Sequence, residues 1–298
     1  MMFDSQSFTY TFYQTCVRGF QQMSPEAQKC LTQSVTACQG PDGFFCGRAG
    51  QEDLYYTYFG LLLAAVTGAK IRKKKCNGKL YFMDRESLDL VHACAWLKAG
   101  KLMIWLAMPR DTQKRQLESR MLLFDTVQMM ISLPGLSQLP PHAYPQQDAD
   151  SPYSRFLLGT IYTDFGLAIP ESPLDAYRLP NGLYANLKHH ADYGINATAA
   201  ALFLLPPDQC GETADALLAL QEPDGSYKAA DFAPEGDLMS TATAAFALQR
   251  CGKTLRVSPK PFLRECFRDN GLFAATPLDP DGDLEYTAYG LLLMGLLT

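Results

Sequence analysis

Four segments of this chain are apolar on nearly every side, and each opens a few residues beyond an aspartate. They are Tyr58–Val66 after Asp53, Ala197–Leu205 after Asp192, Ala242–Leu248 after Asp237, and Ala288–Leu297 after Asp283. A helix that is apolar all round has to be buried all round. Other stretches, Pro25–Val35 among them, alternate apolar and polar positions at helical spacing and predict helices with one wet side. About ten or twelve residues before each aspartate stands a turn signal of Asn or Asp, then Gly, then apolar or aromatic residues: Asp42-Gly43, Asn181-Gly182, Asp224-Gly225 and Asn270-Gly271. Glycine there supplies a positive φ, and the later aspartate accepts from the unpaired N–H groups of the next helix. Each unit therefore reads as a helical hairpin.

Gly182, Gly225 and Gly271 are spaced by 43 and 46 residues, and the interval from Gly43 to Gly182 is about three such periods. Two further units belong in that interval, with turns expected at Asn77-Gly78 or Gly100 and at Pro134-Gly135, and helices over Asp84–Lys98, Asp111–Leu133 and Asp150–Asp164. Their register between 70 and 170 stays open. Six hairpins predict an all-α, single-domain (α/α)6 toroid over residues 1–298, with a first helix at Ser5–Phe20 lying beside the last at the seam. The Pro-rich stretch Leu139–Pro152 reads as a rim loop within the ring.

The chain has 298 residues, 47% hydrophobic and 19% charged, which excludes disorder as its main state. A formal charge of -5 without a basic stripe argues against nucleic acid as a partner. The one basic run, Lys70–Lys75, reads as a solvated surface turn. No apolar run reaches the roughly 18–20 residues that hydrocarbon requires, so no membrane span is expected. Residues 1–6 lack a basic region followed by an apolar core, so the expected location is cytoplasmic. Nine cysteines with no Cys-x-x-Cys pair predict reduced, mostly buried thiols.

The segment Cys38–Leu61, with its Cys-Gln, Asp-Gly-Phe-Phe, Gly-Arg-Ala-Gly and an Asp followed four residues on by Thr, resembles the β-subunits of protein farnesyl- and geranylgeranyltransferases. Met83–Cys94 is similar to an outer helix of those subunits. They belong to the prenyltransferase and squalene-cyclase repeat superfamily, so the resemblance implies a toroid whose centre takes an isoprenoid small molecule. Their zinc ligands are not retained. Asp237 matches the first, but Met239 and Tyr286 stand where a Cys and a His are needed, and a thioether and a phenol are poor substitutes. The acidic stretch Asp231–Asp237 disfavours a diphosphate where the family carries Arg and Lys. No cofactor is predicted; zinc is not expected, and Mg would accompany only a bound diphosphate.

Class II terpene cyclases of the same superfamily protonate an alkene with an Asp-x-Asp-Asp motif. Its nearest counterpart is Asp279-Pro-Asp281-Gly-Asp283, which makes Asp281 and Asp283 the candidate catalytic acids, against a plain reading as turn plus helix cap. The candidate substrate-binding residues are Tyr55, Tyr56, Phe59, Tyr153, Tyr193, Asp237, Tyr286 and Tyr289, most of them aromatic and near inner-helix starts. Arg48 reads as a bridge to the cap aspartate of a neighbouring repeat, and His189 and His190 as surface residues. Gln209–Thr213 is similar to a complement-type thioester motif but lacks its terminal Gln. The competing function is a catalytically inactive toroid that binds a protein partner at its rim.

Overall fold

The computed structural model describes residues 7–107, 132–141, 147–171 and 173–298. Among these residues eleven α-helices account for most of the regular structure. They are α1 (Phe8–Gln22), α2 (Pro25–Ala37), α3 (Leu54–Thr67), α4 (Lys73–Tyr81), α5 (Leu90–Ala107), α6 (Pro152–Asp164), α7 (Ile195–Leu204), α8 (Gly211–Ala219), α9 (Leu238–Arg250), α10 (Lys260–Glu265) and α11 (Leu284–Leu296). The only paired strands among them, β1 (Phe45–Cys46) and β2 (Glu52–Asp53), form a two-residue antiparallel clasp across the first turn. The chain is thus all-α.

Inner and outer helices separate as their patterns require. Buried residues run almost unbroken through Leu54–Ala64, Ala197–Leu202 and Leu291–Leu293. Outer α2 packs on α3, α4 on α5, α8 on both α7 and α9, and α10 on α11. The inner helices touch in the order α3, α5, α6, α7, α9, α11, and α11 also touches α3.

One hydrogen-bonding device recurs where a turn delivers the chain into an inner helix. The hydroxyls of Thr57, Thr198, Thr241 and Thr287 donate to the carbonyls of the cap residues four positions back, Asp53, Gly194, Asp237 and Asp283, at 2.5–2.9 Å. The same oxygens accept the backbone N–H of Phe45, Tyr184, Tyr227 and Phe273 at 2.9–3.0 Å. Each turn glycine before them has the expected positive φ, from 81° at Gly182 and Gly271 to 105° at Gly43. Gly271 has a second reason to lack a side chain: a Cβ there would stand 2.6 Å from the backbone nitrogen of Leu31 in α2, so the last turn lies directly on the first outer helix.

Asp53, Asp237 and Asp283 cap α3, α9 and α11, accepting from Tyr56, Ser240 and Tyr286. Asp192 does not cap. It is exposed, and Gly194 begins α7, because the cap has to lie four residues before the clamping threonine and Asp192 lies six before Thr198.

The stretch between 70 and 170 departs furthest from expectation. Lys73–Lys75 open α4 rather than forming a turn, and the run's cations bind carbonyls: Arg72 those of Gln39 and Gly40, Lys73 that of Leu106 and Lys75 that of Pro41. Asn77-Gly78 lies inside α4 and Gly100 inside α5, so neither is a turn. Met83–Asp89 is the turn, and Leu90–Cys94 belongs to inner α5 rather than to an outer helix. At 18 residues α5 is long and apolar enough to span a membrane by length and composition; it carries Lys98 and Lys101, and 72% of it is buried within the protein. The helix expected over Asp111–Leu133 lies outside the described residues except at its end, where Leu133 starts a 3-10 turn. The segment before α7 supplies a 3-10 turn, Asp175–Tyr177, where an outer helix was expected.

Helix α1 belongs to no hairpin. It packs on α11, α3 and α6. It crosses α11 where Gly19 and Gly295 allow backbones to meet, a Cβ on Gly295 falling 2.0 Å from the Thr15 carbonyl oxygen. Its first turn is tied to the end of α6, with Ser7 Oγ and Thr9 N–H donating to Asp164 at 2.6 and 3.0 Å. All nine cysteines are free, and five are buried.

If the threonine clamp sets each inner helix, Thr241→Val keeps the shape and orphans the buried N–H of Tyr227. The expected loss is about 1–3 kcal/mol in urea unfolding. A change within error would show the clamp to be incidental.

Candidate functional site

The clamp fixes the rotation of α3, α7, α9 and α11, and with it the residue that faces inward. The second residue after the cap is Tyr55 in α3, Tyr153 in α6, Asn196 in α7, Met239 in α9 and Glu285 in α11. The first four line a single apolar cavity of about 100 Å³, and Glu285 accepts a hydrogen bond from the Tyr55 hydroxyl at 2.5 Å. Four and seven residues further along α3 and α11 the same face continues through Phe59, Leu62, Tyr289 and Leu292.

Helix α1 contributes Phe8 and Phe12 to the cavity wall. Phe8 meets Phe156, Phe203 and Phe246 edge to face at centroid distances of 5.1, 5.5 and 5.9 Å, and Phe12 meets Tyr289 at 5.9 Å. The remaining void is smaller than the roughly 300–1,000 Å³ of ordinary ligand pockets.

Tyr55, Phe59, Tyr153 and Tyr289 therefore face the cavity as expected, while the other candidates are placed elsewhere. Tyr56 and Tyr286 are three residues past their caps, which turns them sideways. The Tyr56 ring lies on Gly47, and the Tyr286 hydroxyl donates to Asp237 at 3.1 Å under the guanidinium of Arg48. Tyr193 precedes its cap and donates to the exposed Asp231 at 3.3 Å. Asp237 is occupied as a cap, bonded to Ser240 and Tyr286, and burial raises its carboxyl above the usual range.

Asp281 is exposed and faces no part of the cavity, because Pro280 and Gly282 hold it in the turn before α11. Asp283 is buried as the α11 cap and pairs with Arg48 at 2.5 Å; Arg48 also reaches Asp279 at 2.7 Å. The first turn is thereby bonded to the last. Burial raises Asp283 despite that pairing.

The acid that sequence reasoning missed is Glu285. It is 8% exposed, and burial pushes its carboxyl up to about 8, helped by Asp283 and Asp237 and opposed by Tyr55 and Arg48. At neutral pH it keeps its proton. The signal was its place two residues after a cap, which becomes informative once the helix phase is known.

For a metal, the residues that would have to serve are Asp237, Met239 and Tyr286. Asp237 and Tyr286 bond to each other, and Met239 Sδ lies 3.6 Å from the Asn196 amide. They do not fit a zinc site. Among the described residues no three His, Cys, Asp or Glu side chains are grouped to hold a metal ion. His189 and His190 are exposed, with His190 3.8 Å from Asp192. No protein-family model matches this chain, and no curated protein or solved structure matches it either.

Because the folded carboxyl of Glu285 titrates near 8 and the unfolded one near 4.5, the folded chain holds a proton that the unfolded chain has lost across that interval. Stability contributed by this group therefore falls as pH rises from about 4.5 to 8, by up to about 1.4 kcal/mol per pH unit. Glu285→Gln keeps an acceptor for Tyr55 and removes the titration. Its melting temperature is expected to gain on the parent far more at pH 8.5 than at pH 5; an equal difference at both would mean that Glu285 titrates normally.

Proposed function

We propose that this chain is an α/α toroid of six units, of the prenyltransferase and squalene-cyclase kind, with α1 laid across its interior. Three contacts between the first and last units support closure: α11 against α3, Gly271 against Leu31, and Arg48 bonded to Asp283. Within that class we read it as a cytosolic, isoprenoid-handling protein whose central aromatic cavity takes an unsaturated prenyl chain.

The observation that carries this reading is a carboxylic acid that stays protonated at neutral pH and is hydrogen-bonded to a tyrosine of an aromatic cavity wall. Such a pair suits acid-initiated alkene chemistry. For this the Glu285 hydroxyl donates to the Tyr55 oxygen and the Tyr55 hydroxyl turns from Glu285 to the cavity. The alkene π pair then takes the Tyr55 proton to form a C–H bond, while the proton of Glu285 passes to the Tyr55 oxygen. A carbocation and a Glu285 carboxylate result. The faces of Tyr58, Phe59 and Tyr289 stabilise the cation, and loss of a neighbouring proton to the carboxylate restores the acid. The chemistry proposed needs no metal, and the net change is isomerisation or cyclisation.

Two measurements test it. Solvent extracts of purified protein are expected to contain an isoprenoid, and incubation with farnesol or geranylgeraniol in D₂O is expected to place deuterium on carbon at a rate at least about a hundredfold lower in Glu285→Gln. Equal incorporation in the variant removes the acid role. A clean protein that labels neither alcohol favours a second reading, a scaffold that binds a protein partner through its rim. Phe232 and Leu278, in the turns before α9 and α11, are 83% and 81% exposed, which favours that reading.

A further inference from the structure

Lys98 sits in the middle of inner helix α5, lines the central cavity, and is only 6% exposed. Its ammonium lies 5.1 Å from the centre of the Phe8 ring and 5.3 Å from that of Tyr58. Among the described residues no oxygen lies within hydrogen-bonding or ion-pairing distance of it. The nearby carboxylate, Asp164, is taken up by Ser7 and Thr9, and its backbone carbonyl by Lys101. A second cation, Arg250, lines the same cavity with its guanidinium 4.4 Å from the centre of the Phe203 ring, and the Phe203 and Phe8 rings touch. Among the described residues no Asp or Glu lines the cavity. Contact with rings offsets only part of the cost of leaving an ammonium buried without an anion, and burial lowers the Lys98 pKa accordingly.

We infer that Lys98 and Arg250 form the anion-binding end of the cavity, and that its ligand is an amphiphile with an apolar chain and a single carboxylate or phosphate head. The head takes the place beside Lys98 where the described residues offer no counter-charge. The chain runs along the phenylalanine and tyrosine faces. The present void holds the head and its first few carbon atoms, and a longer chain takes the position that the Phe8 ring now fills. This deepens the isoprenoid reading by naming the charge of the ligand, and it rests on that reading only for the choice of a prenyl chain.

The test is calorimetric titration of the full chain with decanoate, farnesyl monophosphate, farnesol and inorganic phosphate. The parent is expected to bind at least one of the two anionic amphiphiles. Lys98→Met should bind that probe at least tenfold more weakly, Lys98→Arg should restore it, and farnesol binding should be indifferent to both. Lys98→Met is also expected to melt higher than the parent without ligand, since it removes a buried unpaired charge. Arg250→Met, at an exposed position, gives an independent loss of affinity should the Lys98 variant not fold. Equal binding of the anions to parent and variants overturns the inference, as does binding of neither anion, or inorganic phosphate binding as tightly as the amphiphiles. Lys98-dependent binding of decanoate with no response to either farnesyl probe supports the anion site and overturns the prenyl reading. Farnesol binding that ignores Lys98, with no preference for its phosphate, does the reverse.

Discussion

The rest of the structure depends on a threonine hydroxyl that serves two masters. It donates to the cap carbonyl four residues back and accepts the N–H of the aromatic residue two positions past the turn glycine, so turn and helix are fixed to each other in rotation as well as in position. Rotation decides which side chains face the interior. A helix turns about 100° per residue, so a one-residue change in phase would carry Tyr55 off the cavity wall and bring Tyr56 onto it. Four inner helices fixed in the same phase present the same relative position, two after the cap, to a common interior.

That constraint explains which parts of the site were legible. The turn glycines, three of the four aspartate caps and the apolar inner helices are local signals, each carried within one unit, and they could be read from residue type alone. The aromatic candidates divide by phase: Tyr55, Phe59, Tyr153 and Tyr289 fall two or six residues past a cap and point in, while Tyr56 and Tyr286 fall three past and point aside. Asp192 misled because an exposed turn aspartate and a cap aspartate look alike until the threonine four residues on is used to choose between them. The second unit was misread because α5 carries His92, Lys98 and Lys101, which break the apolar pattern that marks the other inner helices. His92 lies between Asp89 and Asp53, at 2.8 and 3.7 Å, and those acids raise it to about 9, so its charge ties α5 to the first unit rather than to water.

The position of α1 could not be read from the sequence for a different reason. Its one apolar face is ordinary for a helix in an outer layer, and nothing local says that Phe8 and Phe12 go to the middle. What admits it is a complementarity between distant residues: Gly19 and Gly295 lack the side chains that would hold α1 and α11 apart, and Asp164 at the end of α6 is available to receive Ser7 and Thr9. Pairwise fits of this kind leave no trace in the periodicity of either partner. The consequence for function is direct, because the interior volume is set by two phenylalanines on a helix outside the repeat.

The charges of the interior are separated along its length. Glu285 is near the start of α11, and Tyr286 beside it bonds to Asp237 at the start of α9, so the two helices begin at the same end. Arg250 is the last residue of α9, about 20 Å further on at 1.5 Å per residue. At that separation, with aromatic rings between, Glu285 has no cation close enough to outweigh the cost of burying its charge, and burial keeps it neutral. The same separation leaves Lys98, among the described residues, without a carboxylate of the cavity wall, while Arg250 at the far end of α9 is open to water. Burial works against the charge of Glu285 at one end and of Lys98 further along, and neither can relieve the other, so a ligand that satisfied both would need a proton-accepting double bond and an anion joined by an apolar chain.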